Sequence, residues 1–413
     1  MNAYSSPLSA AATRKPATYS SDICIVGSGA VGKTAALALA QSGLQVTLLA
    51  PPPAPAAAVQ ASWDVRVYAI NQLGQSLLSS IKVWDALAAD RVAPVAGMDV
   101  TGDAEDHPGH LCFDAYASHV DALAWIIEDS NLNAALDAAL KFAPNLRLVQ
   151  GQASALQIDA QQAQVQLDNG ETIAAPLLVG ADGAQSWVRG QCDIGLDYRS
   201  YGQRAIVSNF ACEKPHQDIA RQWFTADQGI VALLPLPGQR VSLVWSAPDL
   251  LAAKLMEQGA QQLAQQLSQF AAPALGVLTP LEPELVRDFP LRLIKPHAIV
   301  APRVALIGDA AHVVHPLAGH GMNLGFADVT ALLRLLNARE SHRDCGDARV
   351  LGRYARARKE EVLLMQLATD GLARLFDSDI EPVRVLRNLG LNLVNQLPLL
   401  KRRLMAHALG KSA

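Results

Sequence analysis

The sequence predicts an α/β fold: a Rossmann-like nucleotide-binding domain, an antiparallel-sheet domain inserted into it, and a helical C-terminal region. Three observations lead there. A glycine loop, Gly27-Ser28-Gly29-Ala30-Val31-Gly32-Lys33-Thr34, sits between an apolar run and an Ala-rich segment. Short alternating segments with turn signals fill Arg204 to Trp245. Beyond about Asn323 the pattern is helical.

Half of the 413 residues are apolar, enough for two domains with a sizeable core. A net charge of -4 gives no reason to expect nucleic acid as a partner. The five cysteines (Cys24, Cys112, Cys192, Cys212, Cys345) are scattered without a C-x-x-C. That is the usage of a reduced cytoplasmic protein, not of a disulfide framework or zinc site. No apolar run approaches the ~20 residues of a membrane span.

In chain order, residues 1–20 are rich in Ala, Ser and Pro and read as a disordered tail. Asp22–Val26 reads as a buried parallel strand, Ala35–Gln41 as a helix and Leu44–Leu49 as a second strand, forming one βαβ unit. Prolines from Pro51 to Pro55 break the pattern. Trp125–Leu140 has helical periodicity. Ala153–Gly180 reads as a β-meander with a hairpin turn at Asp168-Asn169-Gly170. Arg303–Ile307 returns to a buried strand. The expected domains are 21–195 with 285–345 for the nucleotide, 196–284 for the inserted sheet, and 346–413 for the C-terminal helices.

The glycine loop satisfies two patterns. Gly27, Gly29 and Gly32 fit the G-x-G-x-x-G of a dinucleotide turn; Gly27, Gly32, Lys33 and Thr34 fit a P-loop. Either places backbone N–H groups at a helix N-terminus against a phosphate. In the dinucleotide reading Lys33 is a solvated helix-start residue; in the P-loop reading it is indispensable. The acid expected about twenty residues on is missing, since the second strand ends in Ala50. The ribose hydroxyls must then be held by backbone or by another side chain.

Two further segments place Asp beside Gly at a strand end: Gly180-Ala181-Asp182-Gly183 and Ile307-Gly308-Asp309-Ala310. Such an Asp can accept hydrogen bonds from a ribose or ribitol, and glycine lets backbone approach a phosphate. Read singly, each is equally an Asx-turn or a helix cap.

Together and in this order, the loops resemble the single-component flavoprotein aromatic monooxygenases, the para-hydroxybenzoate-hydroxylase-like class. From about Asp22 to the C-terminus the chain is most similar to the ubiquinone-biosynthesis hydroxylases within that class. The resemblance is carried by Asp64-Val65-Arg66-Val67-Tyr68-Ala69-Ile70-Asn71, Gly180-Ala181-Asp182-Gly183-Ala184, Gln222-Trp223-Phe224-Thr225, Ser242-Leu243-Val244-Trp245 and His315–Gly325.

The resemblance implies non-covalent FAD, with NAD(P)H as reductant. It places the FAD diphosphate at Gly27, Gly29 and Gly32, and Arg66 near the flavin. Asp182 and Gly183 would serve FAD and NAD(P)H; Gly308 and Asp309 would face the ribitol; Gly319, Gly321, Met322 and Asn323 would pass beside the ring. The implied reaction is O₂-dependent hydroxylation of a polyprenylated phenol or benzoquinol through a flavin C4a-hydroperoxide. The cofactor carries that chemistry, so no catalytic residue is nominated. Arg387–Leu391 and Leu400-Lys401-Arg402 resemble the branch acting on the methyl-methoxy-benzoquinol intermediate.

Candidate substrate-side residues on the inserted sheet are Trp223, Phe224, Leu234, Pro235 and Trp245, although a plain sheet core would look the same. His320 stands where the family has Gln, and Ala50 where many members have an acid; both leave open a flavin-binding but catalytically silent subunit. His312, His315 and His320 lack the carboxylate or cysteine of a familiar metal site, so no metal is expected. Arg384, Arg387, Lys401, Arg402, Arg403 and Lys411, with Leu386, Leu389, Leu393, Leu397, Leu400 and Leu404 at helical spacing, read as a helix with a solvated basic face. That face could meet an anionic inner-membrane surface or a partner protein.

Overall fold

The computed structural model describes residues 17–52, 63–104, 108–225, 227–315, 319–376 and 381–397. Most of the N-terminal tail (residues 1–16), Pro53 to Pro55, the His320 side chain and Lys401, Arg402, Arg403 and Lys411 lie outside them.

Ile23–Val26 and Val46–Ala50 are apolar along their whole length and buried throughout, as parallel strands covered on both faces must be. They are central in a six-stranded sheet ordered Val300–Ala301, Val304–Leu306, Leu177–Gly180, Ile23–Val26, Val46–Ala50, Leu146–Gln150. All pairs are parallel except the first. Helix Ala30–Gln41 makes the βαβ crossover. Helix His320–Asn337 shares its core, where Leu37, Leu39, Phe326 and Leu332 are essentially inaccessible.

Three readings of the sequence are corrected here. Trp125–Glu128 is not helical: Ala124–Glu128 is a strand between Val67–Ile70 and Val92–Val95, and the helix starts at Asp129. The β-branched and aromatic run Trp125-Ile126-Ile127 satisfies its backbone by antiparallel pairing, leaving the 3.6-residue period to Leu132, Leu136 and Leu140. Thr18–Ser20 falls in the expected tail but is a strand paired with Thr172–Ala175, the last strand of the meander; Leu177–Gly180 leaves the meander for the parallel sheet. The inserted sheet also reaches beyond 196–284, drawing in Gly97–Thr101, His110–Asp114 and Arg287–Pro296.

That sheet has eight strands. Leu196–Cys212, Arg240–Pro248, Gly229–Leu236 and Ile219–Thr225 form its antiparallel body. Helix Asp249–Leu275, bent at Gly259 (φ 74°), covers one face. The other face turns toward the Val67–Ile70 strand and the helices Ala348–Phe376 and Glu381–Gln396.

Candidate cofactor site

Four parallel strands end at one rim. Gly27, Pro51, Ala181 and Ile307, each just past a strand, line a single cavity of about 820 Å³. Ligands bind at this end of open α/β sheets because the loops leaving the strands diverge there.

The three motif glycines do different work. At Gly27, φ is +110° and a Cβ would lie 2.3 Å from the Ala181 carbonyl oxygen; at Gly32 it would lie 2.1 Å from that of Gly27. Both allow backbone to pack on backbone. At Gly29 a Cβ would meet nothing within 4 Å, and φ is an ordinary −69°. Gly29 caps helix Ala30–Gln41 without a side-chain bond to its first N–H groups, so that helix end faces the cavity ready for an anion.

Lys33 and Thr34 do not join them. The Lys33 ammonium is 2.7 Å from Asp137 and donates to Asn133 Oδ1 at 3.0 Å, mostly buried rather than solvated. Thr34 is fully buried, and neither residue lines the cavity. The P-loop reading fails on geometry, because its lysine and hydroxyl must point at the phosphates and metal.

The two Asp–Gly turns also divide. Asp182 Oδ1 accepts from Ser186 Oγ at 2.6 Å and Oδ2 from the Val188 N–H at 3.0 Å, so this carboxylate caps helix Trp187–Gln191. Both residues line the cavity, but Asp309 is exposed there and its carboxylate caps no helix of its own. Enclosure by protein raises its carboxyl above the ordinary range, against the opposing pull of His312, Arg66 and Arg292. The Arg66 guanidinium lies 5.9 Å from the ring centroids of both Tyr68 and Phe289 and forms part of the wall.

Gly183, Gly308 and Met322 line the cavity as well. Gly319, Gly321 and Asn323 are not among the lining residues. Asn323 ties the start of its helix to the Val67–Ile70 strand, accepting from the Asn71 N–H at 3.0 Å and donating to Ala69 O at 2.8 Å. The sequence did not nominate Tyr68, Asp129, Asn133, Gln152 or Trp187, all of which face the cavity. Tyr68 donates to Asp129 Oδ1 at 2.7 Å and Asn133 to the same atom at 2.8 Å.

Behind the Gly308–Asp309 turn lies a buried polar cluster that no motif announced. Asp328 Oδ2 accepts from the Gly308 N–H at 2.9 Å and lies 2.7 Å from His312 Nε2; its Oδ1 accepts from Arg358 Nε at 2.7 Å. Burial pushes the Asp328 carboxyl up, but His312 and Arg358 outweigh it and hold the group below the usual carboxylate range. His312 is thus committed to a carboxylate. His315 lies 3.3 Å from Gln203 Oε1 and edge-on to Tyr201, with burial pushing its imidazole down to about 4. Among the described residues no group of three or more His, Cys, Asp or Glu is placed to hold a metal ion.

The substrate-side candidates separate by face. Trp223 and Trp245 pack with Phe270 under helix Asp249–Leu275, and Trp245 Nε1 donates to Gln228 O at 2.7 Å; they are core. Pro235, buried, falls on that side by strand alternation with Leu233. Phe224 stacks on Phe376 at 3.7 Å and is covered by it. Leu234 alone of the five packs toward Ala69 and the Val67–Ile70 strand.

Residues 20–365 match the family model described as FAD binding domain. The chain is 37% identical over 394 residues to 3-demethoxyubiquinol 3-hydroxylase of Escherichia coli (strain K12), covering 94% of this chain and 98% of that one. It is 36% identical to ubiquinone hydroxylase UbiL of Rhodospirillum rubrum, covering 94% and 89%. Its fold matches the crystal structure of PqsL from Pseudomonas aeruginosa with 2-aminobenzoylacetate at a TM-score of 0.73 and 22% identity, covering 90% of this chain and all of that one.

Proposed function

The chain belongs to the FAD-binding-domain family, and we propose that it hydroxylates the aromatic ring of a polyprenylated phenol or benzoquinol in ubiquinone biosynthesis. NAD(P)H is the reductant and O₂ the oxygen source. The reading is carried by the cavity at the strand ends, where a helix N-terminus and the Asp309 carboxyl face one another's ligand space, together with relatives named as ubiquinone hydroxylases over nearly their whole length.

The cavity fits the cofactor. Empty space at Gly29 and the helix end suit a diphosphate, Asp309 can accept from ribitol hydroxyls, and Arg66 offers donors along the wall. FAD, when bound, supplies reductive activation of O₂ and delivery of one oxygen atom to the ring. The protein's part is to hold and orient. Asp328, through the Gly308 N–H and His312, fixes the turn that aims Asp309. Asn323 fixes the helix start against Ala69. The apolar cluster around Leu234 and Ala69 would exclude water from a substrate ring lying against that face of the inserted sheet.

A polyprenyl tail points to a lipid surface. Among the described residues no helix is long and apolar enough to cross a membrane, but helix Glu381–Gln396 presents Leu386, Leu389 and Leu393 at 67, 58 and 58% exposure. Its opposite face is pinned: the side-chain oxygens of Asn388, Asn392 and Asn395 accept from the Gly109, His110 and Cys112 N–H groups of an edge strand. Arg384 and Arg387 are not the solvated basic face expected of them. Arg384 donates to the Asp103 carbonyl and Arg387 binds the Asp103 carboxylate. No acidic residue follows Glu381, whereas Lys401, Arg402, Arg403 and Lys411 do. The leucine face is therefore assigned to an anionic bilayer at the inner membrane.

The test is purified protein with FAD, NAD(P)H and a short-chain demethoxybenzoquinol. Hydroxylated product is expected. NAD(P)H oxidation with no such product, even with partner proteins supplied, would favour the silent subunit. For the lipid contact, co-sedimentation with phosphatidylglycerol vesicles should drop severalfold in the Leu386→Ser, Leu389→Ser, Leu393→Ser variant; unchanged binding removes the assignment.

A further inference from the structure

The adenosine ribose of a dinucleotide needs an acceptor beside the second strand of the βαβ unit, and here that strand ends in Ala50 and Pro51. The structure offers a replacement from the neighbouring strand. Leu146–Gln150 runs parallel to Val46–Ala50 with Gln150 opposite Ala50, and the Gly151 N–H donates to Ala50 O at 3.0 Å. The next residue, Gln152, is exposed and lines the cavity beside Leu49, Pro51 and Gly151. Its main chain is steadied by the Asp168 carboxylate, 3.4 Å from its N–H, while its side-chain amide has no partner among the described residues.

Most other polar side chains on the wall are committed or remote, and the Ser28 hydroxyl belongs to the glycine loop that faces the diphosphate. Asp129 accepts from Tyr68 and Asn133, and the amide oxygen of Asn133 accepts from Lys33. Asp182 caps its own helix. Arg66 can only donate. Asp309 follows Val304–Leu306, three strands from Val46–Ala50 in the sheet order, roughly 14 Å at about 4.8 Å per strand.

We infer that Gln152 takes over the role of the missing acid: its side-chain carbonyl accepts from one ribose hydroxyl of the FAD adenosine, and its NH₂ donates to the oxygen of the other. A neutral amide does this without repelling the diphosphate, so the contact is indifferent to pH across the carboxylate range. The inference rests on FAD being the cofactor and adds the residue that holds its adenosine end.

The experiment measures FAD binding to apoprotein by flavin fluorescence, for wild type, Gln152→Ala and Gln152→Glu. Each is titrated with FAD and with the analogue lacking both adenosine ribose hydroxyls. Wild type should prefer FAD by about tenfold, the scale of one or two hydrogen bonds. Gln152→Ala should lose that preference and bind both ligands equally. Gln152→Glu, which keeps an acceptor oxygen, should retain most of it. The exposed position leaves folding intact, which thermal melting of the apoproteins checks. A Gln152→Ala variant that still prefers FAD as wild type does would overturn the assignment while leaving the cofactor standing. Wild type that takes up no FAD would remove both.

Discussion

Replacing Asp328 by Asn should loosen the cofactor turn and destabilise the whole chain, because it changes one atom in a cluster closed to water. The Asp328 side chain is fully buried and the Arg358 side chain only 3% exposed. The carboxylate accepts from the Gly308 N–H and Arg358 Nε and contacts His312. An amide has one accepting oxygen, so its NH₂ must face either Arg358 or the Gly308–His312 pair, donor against donor. Breaking one side of a buried pair costs about 3–5 kcal/mol. The lower end applies, since Arg358 keeps contacts to Glu361 and Leu324 O. With about 2.1 cal/mol/K of unfolding entropy per residue, 413 residues give roughly 0.9 kcal/mol/K. A loss of ~3 kcal/mol then lowers Tm by about 3–4 °C if the chain unfolds as one unit.

The assay is thermal unfolding of apo and FAD-loaded protein, with FAD affinity measured in parallel. Both should fall for Asp328→Asn, because the Gly308 N–H loses its fixed acceptor. Replacing Asp328 and Arg358 together by apolar residues of similar size should recover part of the stability but not the affinity. The pH dependence has a definite sign. The folded-state carboxyl is held below its ordinary value by His312 and Arg358 against the cost of burial. Its contribution is therefore present above the unfolded value near 3.9 and disappears as pH falls through the lower folded value. The difference between wild type and Asp328→Asn should shrink in that acid window. A variant with unchanged Tm at neutral pH and wild-type FAD affinity would refute the role given to this cluster.

Other substitutions separate shape from ligand contact. Gly27→Ala puts a methyl 2.3 Å from the Ala181 carbonyl at φ +110° and should lower apoprotein Tm and FAD binding together. Gly29→Ala meets no protein atom within 4 Å and should weaken FAD binding, read by fluorescence titration, with apo Tm unchanged. Lys33→Ala should leave FAD binding and hydroxylation near wild type and cost about 1 kcal/mol of stability through its partly exposed pair with Asp137. Loss of flavin would revive a phosphate role. Asp309→Asn should leave apoprotein stability at neutral pH unchanged or slightly raised, since a raised folded value makes the ionised carboxyl destabilising but the group is exposed to solvent in the cavity. The same change should weaken FAD binding, and a fall in both would contradict the placement.

The first βαβ unit and part of the cavity rim could be read from sequence because βαβ geometry is local: strand, glycine turn and helix follow within twenty residues, and their spacing places Gly27, Gly29 and Gly32. What could not be read depends on contacts distant in sequence. Asp328 sits on the same buried helix face as Leu332 and Leu336, four and eight residues on, where the pattern predicts an apolar side chain, and nothing nearby shows that its partners are His312 and Arg358, 16 and 30 residues away. Trp223 and Trp245 looked like a ligand floor because strand alternation gives two faces without saying which a helix will cover; Asp249–Leu275 covers theirs.

Asp182 and Asp309 make the limit sharper, since each stands beside a glycine after a parallel strand and the motif treats them alike. The difference is written downstream. Asp182 is followed by Ser186 and Val188, whose hydroxyl and N–H fold back on it as helix Trp187–Gln191 begins. Asp309 is followed by Ala310 and Ala311, which have no polar side chain to offer, and the acceptor that organises its turn is Asp328 from another element. An acid with local donors becomes a cap, and one whose turn is organised from elsewhere stays open to a ligand. On that ground we propose Asp309 as the acceptor for the FAD hydroxyls, while substitution of Asp182 should act first on the stability of its helix.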